Sequence, residues 1–269
     1  KEAVGRTGKP ANFEITDEKI RKYAEATNED NPLFASAERL LAPPCFAFTY
    51  SSPGMARVLG RPDLGVDFLR LVHGEQVFRY HQPVWSNQNV TSQAIIAGVE
   101  TKDTGETLTI DTRATNKAGE LLTESRFVFF IRAKDGASTK KPPEPEPARN
   151  WLFKTVMEVT PDQATRYGQA SGDRNPIHMD PEAGKRAGLG GVILHGLCTM
   201  AFASQAVIDG CLDGDATRLK QFGNRFARPV RPGDTVTTRV WSEGEGRVGF
   251  DALIQDGTIV LKNGVAEFV

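Results

Sequence analysis

The segment Ile15–Pro32 returns 144 residues later as Val159–Pro176. Thr16/Thr160, Tyr23/Tyr167, Ala26/Ala170, Asn31/Asn175 and Pro32/Pro176 are identical across the two copies. A second match follows in the same order at an offset of 146: Arg79-Tyr80-x-x-Pro83-Val84 then Val90-Thr91, against Arg225-Phe226-x-x-Pro229-Val230 then Val236-Thr237. Chance supplies one such match. Two in the same order describe a duplicated unit, and duplication decides the architecture before any element is assigned. The expected organisation is one copy over residues 1–135, a linker over 136–150 and a second copy over 151–269. Lys140-Lys141-Pro142-Pro143-Glu144-Pro145-Glu146-Pro147 falls in that linker, where the prolines exclude helix interiors and sheet ladders and favour an extended spacer.

Each copy repeats one order of elements. A short helix is expected from Thr16 and again from Thr160, the second with Pro161 at its first position and Gln163 three residues after the cap. An apolar helix follows. Val192–Ile208 is about 17 residues long and contains His195, Ser204 and Gln205, too short and too polar to cross a bilayer, so it reads as a core helix. Leu197, Met200, Ala201, Ser204 and Ile208 lie on one stripe of it. The corresponding stretch of the first copy, Pro44–Val58, is weaker. Strands Val90–Glu100, Leu108–Asn116 and Leu121–Arg132 are punctuated by Asp103-Thr104-Gly105 and Lys117-Ala118-Gly119, and Asp256-Gly257 marks a late hairpin. The fold class is therefore α+β, a curved antiparallel sheet wrapping a central helix in each copy, the two sheets continuing one another.

Lys+Arg at 33 against Asp+Glu at 34 speaks against a broad basic face, so no nucleic-acid partner is expected. No membrane partner is expected either. Cys45, Cys198 and Cys211 are odd in number, far apart and without CxxC, which suggests neither a disulfide framework nor a zinc knuckle. A reducing compartment, the cytoplasm, is the expectation. No leader is visible after Lys1, and Ala266-Glu267-Phe268-Val269 is not a peroxisomal tripeptide.

The stretch Gly172-Asp173-Arg174-Asn175-Pro176-Ile177-His178, followed by Leu194-His195-Gly196, carries the chemistry. An acid, a carboxamide and an imidazole lie within six residues, where Gly172 loosens the backbone and Pro176 fixes it. His178 can take a proton from water at neutral pH, Asp173 would have to carry a proton to deliver one, and Asn175 could hold the water. Gly196 opens the apolar helix, where free N–H groups and the helix dipole favour negative charge on a ligand oxygen. The bland alternative is a capped turn whose Asp and Asn side chains serve the local backbone. His195 reads first as a structural hydrogen-bonder, His73 and Glu75 as pocket-lining or paired groups, and Cys198 and Cys211 as core thiols.

These motifs resemble the hydratase 2 motif of the MaoC-like (R)-specific enoyl-CoA hydratases, which have the hot-dog fold. Leu71-x-His73-Gly74-Glu75-Gln76 and Arg225-Phe226-x-Arg228-Pro229-Val230-x-Pro232-Gly233 are similar to segments of the two-domain hydratase 2 of peroxisomal multifunctional enzymes. The resemblance implies a double hot-dog that adds water to trans-2-enoyl-CoA to give (3R)-hydroxyacyl-CoA, reversibly. It implies Asp173 and His178 as the catalytic pair, Asn175 as the water-orienting amide and the Gly196 N–H as donor to the thioester oxygen. No metal and no redox cofactor are implied, since coenzyme A is part of the substrate.

The first copy departs from the pattern, with Asn28, Glu29 and Phe34 where the second has Gly172, Asp173 and His178. Phenyl cannot transfer protons, so one active site per chain is expected, with Pro43-Pro44-Cys45-Phe46-Ala47-Phe48 making room for the acyl chain. Arg225, Arg228, Arg231, Lys185 and Arg186 are candidates for the coenzyme A phosphates, because guanidinium suits phosphate oxygens; a solvated basic face is the alternative. A homodimer is possible. The rival functions are a hot-dog acyl-CoA thioesterase and a non-catalytic acyl-CoA-binding module.

Overall fold

The computed structural model describes residues 2–68, 70–133 and 149–269. All of the expected linker except Arg149 and Asn150 lies outside these residues. The first copy comprises β1 (Ala11–Ile15), α1 (Asp17–Ala26), α2 (Pro32–Ala35), α3 (Ala47–Leu59), β2 (Leu71–Tyr80), β3 (Gln88–Lys102), β4 (Gly105–Thr115) and β5 (Leu121–Arg132). The second comprises β6 (Trp151–Glu158), α4 (Gln163–Ser171), α5 (Pro181–Arg186), α6 (Gly196–Leu212), β7 (Leu219–Phe226), β8 (Thr235–Gly244), β9 (Arg247–Ile254) and β10 (Ile259–Phe268).

The ten strands form one antiparallel sheet in the order β1-β3-β4-β5-β2-β7-β10-β9-β8-β6. The order reads the same outward from its centre, where β2 and β7 pair with Gln76 opposite Asn224 and Phe78 opposite Phe222. This is the expected double hot-dog: α3 and α6 lie on one face of a sheet that the duplication has doubled. One apolar core runs through both copies, with Tyr23, Phe46, Phe78 and Phe127 from the first and Tyr167, Phe222 and Phe250 from the second fully enclosed. Burying each large side chain is worth about 1.5–3 kcal/mol, so the shared core holds the two copies together.

Local signals explain most boundaries. Thr16 caps α1 by accepting the Lys19 N–H, as expected of a Ser/Thr cap. The equivalent helix of the second copy begins at Gln163 rather than at Thr160. There Gln163 Oε1 takes the Thr160 N–H, half of the capping box, while its Nε2 donates to Ala26 O of the other copy at 2.6 Å. Tyr23 and Tyr167, equivalent in the repeat, meet nearby with ring centroids 5.6 Å apart.

Two expectations need correction. The apolar run starting at Val192 becomes helical only at Gly196, because Leu194 spends its N–H on Val230 O at 2.7 Å and Ile193 its carbonyl on His178. Nor is α6 buried along one stripe: every residue from Leu197 to Ile208 is buried, since the sheet curves round one side and the first copy covers the other. No helix among the described residues is long and apolar enough to cross a membrane.

Candidate active site

The Asp173 loop is built by short-range hydrogen bonds. Helix α4 ends at Gly172, whose φ of +80° lies in the left-handed region that a side chain disfavours, and the chain reverses. Asp173 Oδ1 then accepts the Asn175 N–H at 3.1 Å, and Asn175 Oδ1 accepts the Ile177 N–H at 3.3 Å, starting a 3₁₀ turn over Pro176–His178. The first copy repeats these bonds: Glu29 Oε1 accepts the Asn31 N–H at 3.1 Å, and Asn31 Oδ1 accepts the Leu33 N–H at 3.0 Å. The turn is thus common to both copies. What distinguishes the second is the imidazole that the turn delivers.

His178 is buried and its Nδ1 donates to Ile193 O at 2.8 Å, which leaves Nε2 with the free lone pair of a neutral base. Burial lowers its pKa, against the opposing effects of the Ile193 carbonyl and the Asp173 charge. His195, immediately before α6, donates from Nε2 to Asp173 O at 3.0 Å and stacks on His178 with ring centroids 3.7 Å apart and planes 25° apart. Burial and the His178 ring push His195 down to about 4, while its Nδ1 is buried without a partner. Polar atoms of Asp173, His178 and His195 all fall within 4.8 Å of one another. The two ring planes are nearly parallel, so their in-plane lone pairs run side by side rather than converging on one ion.

Gly196 is the first residue of α6, and no side chain caps that helix, so the orphan N–H groups of the first turn face outward from its end. A side chain has no room there. A Cβ on Gly196 would lie 2.8 Å from Cδ1 of Phe226, whose ring covers the glycine. A carboxylate, two imidazoles and a main-chain donor are therefore assembled around one helix start, an arrangement able to move protons next to a polarised carbonyl.

Asn175 is exposed, and its Oδ1 is committed to the turn. The candidate phosphate ligands are dispersed. Arg225 pairs with Glu75 at 2.9 Å and, by strand alternation, points away from the helices while Asn224 and Phe226 point toward them. Lys185 pairs with Glu182 at 2.7 Å, Arg186 lies 3.9 Å from Asp180, and Arg231 donates to Leu189 O. Arg228 is exposed. Lys185 and Arg186 lie in the 180–191 segment, Arg231 reaches it through Leu189 O, and Arg225 stands apart from it. The segment expected to form the acyl pocket is mostly core: Cys45, Phe46, Ala47 and Phe48 are buried, and the cavity beside Pro43 and Pro44 is small, about 40 Å³. His195, read first as a structural hydrogen-bonder, is one, through Asp173 O, and it lies within the cluster as well.

The chain is thus a double hot-dog with a carboxylate and two imidazoles gathered at the N-terminus of its second central helix. Residues 142–262 match the MaoC like domain and residues 2–125 the FAS1-like dehydratase domain region. The chain is 34% identical over 215 residues to Enoyl-CoA hydratase 2, peroxisomal, of Arabidopsis thaliana, covering 75% of this chain and 69% of the relative. It is 32% identical over 222 residues to the mouse Peroxisomal multifunctional enzyme type 2, covering 80% of this chain and 30% of that longer protein. The MaoC-like dehydratase of Phytophthora capsici superposes over 100% of this chain and 96% of its own with a TM-score of 0.84 at 28% identity. The chain belongs to the MaoC-like hydratase–dehydratase family and is an enzyme of the lyase class.

Proposed function

We propose that the chain catalyses (R)-specific hydration of trans-2-enoyl-CoA to (3R)-hydroxyacyl-CoA, and the reverse dehydration. The observation that carries this reading is the convergence of Asp173 and His178 beside the Gly196 N–H. The Gly196 N–H holds the thioester oxygen, so electron density drawn into the carbonyl leaves C3 electrophilic. His178 Nε2 takes a proton from water as the water oxygen bonds to C3, and Asp173 delivers a proton to C2. In the reverse direction each group returns what it took. The proposal routes no step through a metal or redox cofactor.

The first copy is proposed to be catalytically silent. Phe34 replaces the base, and Pro44, which starts the 3₁₀ turn leading into α3, has no N–H to offer. Its part is to wall the acyl site, within the division at residues 135 and 150. Three free thiols fit a reducing compartment, and the cytoplasm is proposed. A homodimer belongs to the same proposal, supported by exposed Trp151, Leu152 and Val156 on the edge strand β6.

The deciding experiment follows loss of enoyl absorbance and release of free thiol together, over a panel of enoyl-CoA esters, with chiral analysis of the product. Absorbance loss without thiol release is expected, and Asp173→Asn and His178→Ala should each lower turnover by about 10²–10⁴ with little change in ligand affinity. Thiol release would point to a thioesterase, and ligand binding without turnover to a binding module.

A further inference from the structure

The two copies can be compared as sites. Ala42 donates its N–H to Val84 O at 2.8 Å just as Leu194 donates to Val230 O at 2.7 Å, so Pro43-Pro44 stands where His195-Gly196 does. Tyr80 stands where Phe226 does, and Leu219 where His73 does, both at the offset of 146. The strand irregularities agree. Against β5, His73 faces Phe129 and Glu75 faces Val128, which leaves Gly74 as the extra residue of a bulge; against β10, Leu219 faces Phe268 and Gln221 faces Glu267, which leaves Lys220 extra.

The cavity of the silent copy is lined by Pro43, Pro44, Tyr80, Val84 and Leu219. Its equivalents around the Asp173–His178 site are His195, Gly196, Phe226 and Val230 of the second copy and His73 of the first. The wall position filled by an alkyl chain in the silent site is thus an imidazole in the active one, and it comes from the other copy. Contacts place it there directly. His73 packs 5.0 Å from Phe226, the ring that covers Gly196, and 5.0 Å from Phe129. The bulge does the aiming, because one inserted residue turns His73 to the face that Gln76 and Phe78 share. Its Nε2 is buried and has no hydrogen-bond partner among the described residues. Burial pushes its pKa down to about 4 against the charge of Asp173, the Glu75 backbone and the Gln76 amide, so the ring is neutral near pH 7.

We infer that His73 is a substrate-contacting residue of the Asp173–His178 site, supplied across the seam by the silent copy, and that its Nε2 hydrogen-bonds the oxygen gained or lost at C3. A water or hydroxyl both donates and accepts, so either neutral tautomer of His73 serves. This gives the first copy a chemical part beyond a wall. The inference rests on the hydratase reading above.

The test measures hydration kinetics of His73→Leu, which copies Leu219, and His73→Phe, which keeps the ring shape, beside the wild type, Asp173→Asn and His73→Gln. Each apolar variant removes the unpaired Nε2 but also the ring's hydrogen bonds to the Glu75 backbone and the Gln76 amide, so melting temperatures are measured beside the kinetics. For each apolar variant that melts like the wild type, kcat should fall at least 10-fold with KM within about threefold, and His73→Gln should recover part of the loss. An apolar variant that folds normally and keeps kcat within twofold overturns the inference, as does a loss in kcat that only follows the unfolded fraction. A wild type that fails to hydrate any enoyl-CoA sinks the hydratase reading instead.

Discussion

His195 lies face to face with His178, 3.7 Å between ring centroids, while its Nε2–H holds the Asp173 carbonyl at 3.0 Å. One ring therefore buttresses His178 and ties the loop bearing Asp173 to the start of α6. A displacement of about 1 Å at a reacting group can cost about 100-fold in rate. His195→Leu removes the tie and should lower kcat by 10- to 100-fold while leaving Asp173 and His178 in the chain. His195→Gln, which keeps a donor, should lose less. Steady-state kinetics of the two variants check this, and equal losses would mean that the ring's bulk matters and the hydrogen bond does not.

Gly196 meets Phe226 so closely that a methyl group cannot be added without moving the ring. Gly196→Ala should misplace the main-chain donor and cost about 10²–10³ in kcat, the range seen when one oxyanion donor is lost. Phe226→Leu in the same chain opens the contact. The double variant should be faster than Gly196→Ala alone, which a double-mutant cycle on kcat reads directly.

Acid should act on stability through the buried imidazoles. His73 and His195 are pushed down to about 4 in the folded chain, against 6.5 as their ordinary value, so the unfolded chain binds protons first as pH falls. The folded state is unpenalised above pH 6.5 and loses stability between 6.5 and about 4, by about 1.4 kcal/mol for each unit and group at most. Activity should persist lower than 6.5 as well, because burial also lowers the pKa of His178, the proposed base. Denaturant melts and kcat/KM across pH 4–8 test both; a melting temperature independent of pH below 6.5 would contradict the burial of these rings.

Glu29 carries the opposite sign. Burial, with Asp209 and Asp30 nearby, lifts its carboxyl to about 7 despite the Asn31 N–H that favours the charged form. A raised carboxyl holds its proton in the folded chain, so its contribution is intact below about 4.5 and is lost as pH rises through 7. Glu29→Gln, which keeps an acceptor for the Asn31 N–H, should stabilise the chain by roughly 1–3 kcal/mol at pH 8 and have little effect at pH 4.5. Thermal melts at the two pH values suffice.

What could be read from the residues divides along the range of the interactions. Thr16, Gly172 and the Asp173–Asn175–Ile177 turn act over two to four positions, so their roles were visible in sequence. So was the repeat, and with it the continuous sheet. Strands β2 and β7 were not, because their inward faces mix Gln76 and Asn224 with Phe78 and Phe222 and so lack clean alternation. The inward turn of His73 was hidden for a different reason: side chains alternate along a strand, and one bulged residue reverses the reading. Arg225 shows the converse, since regular alternation sends it to the outer face, away from Phe226.

The correspondence between Pro44 and Gly196 was also hidden, because the loop bearing α5 shifts the offset between copies from 144 to 152. It makes the silence of the first copy double. Restoring the base alone, by Phe34→His with Glu29→Asp, supplies an acid and an imidazole on a turn that already has the right hydrogen bonds. No amide hydrogen faces the thioester oxygen, however, since proline at 44 carries none. In an Asp173→Asn background, where the natural site is disabled, the graft should show no hydration above that background. Adding Pro44→Gly provides an N–H, and only then is turnover from the first copy expected, slow because Leu219 stands where His73 would. A graft active with Pro44 still in place would show that the main-chain donor is dispensable, and the proposed polarisation of the thioester would fall with it.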